Sequence, residues 1–485
     1  MYDKLIFEMG NGQKNTVSLP ENDFPVDNIN IPQKYLRSSS PALPEVAEID
    51  VMRHFVNLSG KNHHILKDIY PLGSCTMKYN PIVNEEIAAK PEFLGLHPYQ
   101  DIEDCQGIMS IIYELQEMLR IIAGFDSISL TPVAGAHSEF AGMMIIREYH
   151  SHRGNDKKKN ILIPDSAHGT NPASCTLSGF NTVEIKSGED GEIDIEDLRS
   201  KTDSATAGIM ITNPNTLGIF ESRFDEIAEI IHSVDGLIYM DGANLNALMG
   251  IVKPGNIGCD ILHFNLHKTF STPHGGGGPG SGGVAVNKKL SDYLPPFVVN
   301  KKDGQFVFER PDKTMGAMHM YMGNINVMIK AWAYIKAMGE DGLKYASEMA
   351  VINANYIKSA LKDIYELPFK TQTMHEFVLS GSRHKKEYGI RTLDIAKRML
   401  DKGIHAPTVY FPLIVSEALM IEPTETESIE TLDRFIEIMK EIDKEAKESP
   451  GDLKKAPVTT PVGRLNELKA MKNLDVNYYK RDSNV

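Results

Sequence analysis

Residues 261–264 form a short, mostly apolar run that gives way to a polar stretch, Asn265-Leu-His-Lys268-Thr-Phe-Ser-Thr-Pro-His274, then four glycines at 275–278, Pro279 and Gly280. The run reads as a buried strand, which sets Lys268 just past a strand end, where open α/β sheets collect their chemistry. The glycines let backbone approach a ligand closely and take positive φ without strain, as a phosphate-bearing cofactor requires. This is no nucleotide P-loop, because the Gly-Lys-Ser/Thr ending is missing and the lysine precedes the glycines. A lysine after a strand, flanked by His267 and Thr269, fits one that forms a Schiff base with pyridoxal phosphate. From this stretch alone, a solvated lysine beside a flexible turn is an equal reading.

Other polar groups stand at comparable places. Strands are expected over 161–164, 182–185, 207–211 and 237–240, and three of the four stop at polar clusters: Asp165-Ser-Ala-His168-Gly-Thr-Asn171-Pro172, Thr212-Asn213-Pro-Asn-Thr216 and Asp241-Gly-Ala-Asn244. In a mostly parallel sheet such clusters gather at one edge. A carboxylate at a strand end, Asp241, can pair with a pyridinium nitrogen and keep the ring an electron sink; the plain alternative is a helix cap. His168 is planar, in a small-residue context that leaves room for it to lie against a ring. Asn213 and Asn244 are able to donate to a phenolate-type oxygen, although turn chemistry explains them as well. Gly135-Ala136-His137-Ser138-Glu139 reads as a turn opening into a helix, whose free N–H groups suit an anionic phosphate; capping by Ser138 is the simpler account. The polar phrase at 71–81 is either a loop at a ligand site or a surface turn.

These groups need a scaffold, and 485 residues suffice for two or three domains. The expected division is an extended N-terminal arm over 1–100, a large strand–helix domain over 101–330 and a smaller C-terminal α/β domain over 331–485. Helices are expected over 106–123 and 140–149, followed by a further strand at 283–286 and a long helix leading out of the large domain. In the small domain an alternating strand is expected at 375–380, a helix capped by Thr392 and ended by Gly403, and a capping box of Thr424 with Glu427. From Lys444 onward a charged tail is expected. The 51 basic and 65 acidic residues leave a net charge of −14, which argues against a nucleic-acid or anionic membrane surface. Cys75, Cys105, Cys175 and Cys259 are far apart and form no CxxC pair, so no metal site or disulfide framework is expected. With no signal-peptide core and no long apolar run, a soluble cytoplasmic protein is expected.

Several of these phrases carry a resemblance. Pro71-Leu-Gly-Ser-Cys-Thr-Met-Lys-Tyr-Asn-Pro81, the clusters at Asp165, Thr212 and Asp241, the Asn265–Gly280 stretch, Pro407-Thr-Val-Tyr-Phe-Pro-Leu413 and Glu422-Pro-Thr-Glu-Thr-Glu427 resemble the P-protein (glycine decarboxylase) family of the glycine cleavage system. Only residues 315–326 depart from the pattern. The resemblance implies fold type I of pyridoxal phosphate enzymes, that cofactor, and decarboxylation of glycine with transfer of the aminomethyl group to the lipoyl arm of the H-protein. It also implies a partner: the family is either one chain with two homologous halves or two subunits, and this chain has the lysine-bearing half alone, so a subunit 1 in a heterotetramer of two copies of each is expected. Carried over by position, Lys268 would be the Schiff-base lysine, Asp241 the partner of the pyridine nitrogen, and His168 the stacking ring. Ala136, His137, Ser138 and His267 would approach the phosphate, and Asn213 and Asn244 the ring hydroxyl. A cysteine desulfurase or amino-acid decarboxylase would share Asp241, His168 and Lys268, but no cysteine lies in the C-terminal domain to serve a desulfurase. A non-catalytic scaffold is opposed by Lys268.

Overall fold

The computed structural model describes residues 4–10, 21, 23, 31–39, 43–97, 99–274 and 280–475, so the glycines at 275–278 lie outside the described residues. Seven strands make the main sheet: β1 (Ser127–Ser129), β2 (Asn160–Pro164), β3 (Asn181–Ile185), β4 (Thr206–Thr212), β5 (Leu237–Asp241), β6 (Ile261–Asn265) and β7 (Gly282–Val286), in the order β1-β7-β6-β5-β4-β2-β3. Strands β2 to β6 run parallel, and β7 lies antiparallel between β1 and β6. Every residue of β4, β5 and β6 is buried, because helices cover both faces. Gly135–His152 and Thr170–Leu177 pack on one face; Gln106–Ala123, Phe224–Ser233 and the first half of Ile325–Leu361 pack on the other. Each fully buried Leu, Ile or Phe in these layers contributes about 1.5–3 kcal/mol.

The helix Ile325–Leu361 links two cores. It breaks at Gly339, whose φ of 64° is open to glycine without a Cβ penalty. Val327 to Ala346 join the large core, whereas Ala354, Ile357 and Leu361 join a second core with helices Thr392–Asp401 and Ile429–Glu448. This second core backs a three-stranded antiparallel sheet ordered β10-β12-β11, where β10 is Phe377–Ser380, β11 Thr408–Val409 and β12 Ala418–Ile421; β8 (Val298–Lys302) and β9 (Gln305–Glu309) form a separate hairpin. Of the N-terminal arm, Glu48–Gly60 is helical rather than extended.

Local expectations in the small unit need correcting. Strand β10 does not alternate: all four residues are buried, since Phe377 and Leu379 face the C-terminal helices while Val378 packs with Leu217 and Ile219 of the large unit. Thr392 is the first helical residue rather than the cap, and its hydroxyl donates to Glu417 O at 2.7 Å. The cap of the next helix is Ser428, which accepts from Thr431 N–H, while Thr424 Oγ1 pairs with Thr426 Oγ1 at 3.0 Å. Lys444 lies within that helix, which runs to Glu448.

Candidate active site

The parallel strands deliver their polar ends to one edge. Tyr239 pairs with Ile261 and Met240 with Leu262, which carries Asp241 alongside His263. Because side chains alternate along a strand, Tyr239 and Asp241 on β5 and His263 and Asn265 on β6 share the face that meets helix Gly135–His152. Lys268 follows β6 by one turn, closed by its N–H on Asn265 O at 3.0 Å. Together they border a cavity of about 170 Å³ lined by Ser74, Gly135, Ala136, Glu139, His168, Thr170, Thr212, Thr216, Asp241, Ala243, His263, Asn265, His267 and Lys268.

Asp241 is held as an anion. Its Oδ1 accepts from Ala243 N–H at 2.9 Å, its Oδ2 from Asn171 Nδ2 at 3.0 Å, and His263 Nε2 lies 3.4 Å from Oδ1. Burial alone would raise its pKa, but His263, the two hydrogen bonds and the Lys268 charge outweigh burial and hold it below the usual carboxylate value. His263 is fixed in turn by Tyr239 OH at 2.7 Å and Asn265 Nδ2 at 2.9 Å. Glu139, one turn into its helix, accepts from Thr170 Oγ1 at 2.8 Å and Ser174 Oγ at 3.0 Å; burial, then the charge on Asp241, push its pKa up.

A second carboxylate and a lysine thus face one small space, and the remaining groups suit an anion. Helix Gly135–His152 begins at the cavity without a side-chain cap, so its positive end is open to a phosphate. Thr212 Oγ1 is buried with no partner among the described residues. His267 borders the same space with Nδ1 2.9 Å from Ser281 O; burial and the neighbouring His274 push its pKa down to about 4. The donor set therefore fits pyridoxal phosphate: an amine for the aldehyde, a carboxylate for the ring nitrogen and a helix N-terminus for the phosphate.

The expected site residues separate into two groups. Lys268, Asp241, His168, Ala136 and His267 line the cavity, with Phe411 edge-on behind the His168 ring at 5.5 Å. His137 and Ser138 do not line it: Val133 N–H donates to His137 Nδ1 at 3.2 Å, and Ser138 Oγ donates to Ala134 O at 2.9 Å. Asn213 and Asn244 are buried outside the lining. Asn244 Nδ2 is committed to Pro214 O at 2.9 Å and Glu376 Oε1 at 3.0 Å, whereas Asn213 Oδ1 accepts from Glu221 N–H at 3.1 Å. Sequence reasoning missed Glu139, His263 and Asn265, whereas Ser74 belongs to the phrase at 71–81, for which a loop at a ligand site is one of the two expected readings. His263 left a signal, since a histidine inside an otherwise apolar buried run calls for a polar partner on the next strand.

Two measurements test this geometry. A Cβ at Gly135 would overlap Asn265 Oδ1. Gly135→Ala should therefore lower stability by about 1–3 kcal/mol in denaturant unfolding, and an unchanged midpoint would mean that helix and strand lie further apart. In selectively labelled histidine NMR, His267 should stay neutral until the pH falls to about 4. The unfolded chain takes up that proton from about 6.5 downward, so this ring should reduce stability as pH falls from 6.5 to about 4. A midpoint near 6.5 would contradict the burial described.

The chain is similar to known proteins over nearly its whole length. The family model described as glycine cleavage system P-protein matches residues 18–305, and that described as glycine dehydrogenase, C-terminal domain, matches residues 346–458. A probable glycine dehydrogenase (decarboxylating) subunit 2 of Caldanaerobacter subterraneus subsp. tengcongensis is 53% identical over 484 residues, covering 99% of each chain. One from Bacillus licheniformis is 52% identical over 480 residues, covering 98% of this chain and 99% of its own. Among solved structures, one described as glycine decarboxylase (P-protein) of the glycine cleavage system, in inhibitor-bound form, superposes with a TM-score of 0.71 at 20% identity, over 85% of this chain and 93% of that one. The Escherichia coli cysteine desulfurase CsdA superposes with a TM-score of 0.60 at 12% identity, over 77% of this chain and 94% of its own.

Proposed function

Because this chain belongs to the glycine cleavage system P-protein family and has the fold of type I pyridoxal phosphate enzymes, we infer that it is the lysine-bearing subunit of a decarboxylating glycine dehydrogenase. The observation that carries the reading is the convergence of Lys268 and the ionised Asp241 on one cavity at the strand ends.

When bound, pyridoxal phosphate supplies a protonated pyridine ring able to accept the electron pair released as CO2 leaves. Lys268 Nζ would hold the aldehyde carbon, and Asp241 would keep the proton on the pyridine nitrogen. His168 would lie against the ring; the N-terminal turn at Ala136, with His267, would take the phosphate.

The aminomethyl acceptor would be the lipoyl arm of the H-protein, and the working assembly a heterotetramer with subunit 1. The subunit 2 naming of the relatives supports a partner, as does an apolar stripe on helix Glu48–Gly60, where Ile49, Met52, Phe55 and Val56 are all exposed. No helix among the described residues is long and apolar enough to cross a membrane, which fits the cytoplasmic location we propose.

The test is an absorbance spectrum of the chain with its partner subunit before and after borohydride, then peptide mapping. A visible band that bleaches, with a pyridoxyl mass on Lys268, is the expected result. No band after adding the cofactor, or the mass on another lysine, would sink the reading.

A further inference from the structure

The phrase at residues 71–81 has no part in the chemistry above, yet it runs beside Lys268. Ser74 and Thr76 both adopt positive φ, 63° and 40°, a conformation that is strained for any side chain and most for a β-branched one. Two fully buried carboxylates of the small unit hold the turn: Ser74 N–H donates to Glu376 Oε2 at 2.7 Å, and Thr76 N–H to Glu422 Oε2 at 3.0 Å. Ser74 O accepts from Lys268 Nζ at 2.6 Å. One residue's two backbone groups therefore tie the lysine to the carboxyl pair.

One polar atom from each of Glu376, Glu422 and His375 lies within 4.8 Å of the other two, and the three side chains are buried. Two carboxyls this close and this dry do not both ionise. Their hydrogen bonds decide which keeps the proton. Both Glu376 oxygens accept, Oε2 from Ser74 and Oε1 from Asn244 Nδ2 at 3.0 Å, so a hydroxyl there would face a donor. Glu422 Oε1 has no hydrogen-bond partner among the described residues and lies 3.9 Å from His375 Nε2, which has none either.

We propose that Glu422 keeps its proton at neutral pH, directed at His375 Nε2, while Glu376 is the anion that balances Lys268, and that the pair positions residues 74–76 against the lysine. The inference rests on Lys268 being the reactive lysine. Burial, opposed by Thr76 and Lys268, pushes Glu422 up to about 7, and burial, then Lys268, pushes His375 down to about 3, leaving its ring neutral. Burial and the neighbouring Glu422 push Glu376 up as well, so the pair holds one proton between them, and the donors on both Glu376 oxygens are what place the charge there. The other titratable groups facing the pair are Cys75 in the loop and Glu425 beyond Glu422. Both glutamates are positioning residues, acting through backbone amides.

A glutamine at 422 imitates the protonated acid, accepting from Thr76 and donating toward His375. A glutamine at 376 has one acceptor for two donors. In hydrogen exchange on the full chain, Glu422→Gln should leave Ser74 and Thr76 protection nearly unchanged. Glu376→Gln should lower it about tenfold, and Glu422→Ala should lose the Thr76 protection that glutamine restores. Infrared spectra of the cofactor-free chain below about pH 7 should show a buried protonated-carboxyl band that Glu422→Gln removes. Relative to that variant, wild-type stability should fall as pH rises from 4.5 to about 7, because the unfolded chain releases a proton there that the folded acid retains. The absence of a Glu422-dependent band, or equal behaviour of the two glutamine variants, would overturn the proposal. Should Glu376→Gln fail to fold, the infrared comparison still decides. If the band and the asymmetry are found while Lys268 takes no cofactor, the carboxyl pair stands and the functional reading falls.

Discussion

Replacing Lys268 with alanine should reduce glycine-dependent CO2 exchange by at least about a thousandfold, or about 4 kcal/mol of barrier. The loss should sit in the chemical step, because Lys268 is the one amine among the described residues of the cavity lining. Stability should fall as well, because the bond to Ser74 O at 2.6 Å is lost and the buried Glu376 carboxylate loses the charge that balances it, although the turn that carries position 268 is closed by backbone. The variant should bind pyridoxal phosphate reversibly, with borohydride fixing no mass at position 268. Activity within tenfold of wild type, in a variant that still folds, would remove Lys268 from the reaction.

Asp241→Asn is the second large effect, and it should act on rate and stability together. The carboxylate accepts Asn171 Nδ2 on one oxygen and Ala243 N–H on the other, at 3.0 and 2.9 Å. An asparagine offers one acceptor for these two donors, so its amino group must face a donor in a buried site, which costs about 1–3 kcal/mol. It also removes the charge that would keep the pyridine nitrogen protonated, and a fall in kcat of about 100-fold or more is expected. Because Asp241 is held below the ordinary carboxylate value, wild-type activity should show no acid limb from this residue at pH 5 or above, roughly one unit beyond an unperturbed aspartate. A variant that lost stability but kept kcat would leave Asp241 a structural residue.

Lys268, Asp241 and His168 were legible because each stands just past an apolar run that stops in polar residues, a local pattern that survives folding unchanged. The helix expected over 140–149 runs over Gly135–His152, so the expected opening turn is its first turn, whereas the observed Gln106–Ala123 helix matches the expected span 106–123. Cap assignments failed where two candidates stood close together. Thr424 and Ser428 differ only in where the chain turns into the helix, and backbone geometry gives the role to Ser428.

What no stretch of sequence could disclose is which distant groups meet. His263 belongs to Asp241 because β5 and β6 are neighbours in parallel register, and Glu376 reaches Ser74 because the small unit packs against the loop at 71–81. The same packing commits Asn244 to Glu376 and Pro214, and the first turn of helix Gly135–His152 commits Ser138 to Ala134 O, which takes both away from the cavity. The sequence by itself determined the strand-end candidates and the family, since strand periodicity, turns and contiguous motifs are properties of neighbouring residues. Only the tertiary structure decided the hydrogen-bond partners, and with them the direction in which Asp241 and Glu139 depart from ordinary carboxylates, because burial and partner identity arise when segments far apart in the chain leave water together.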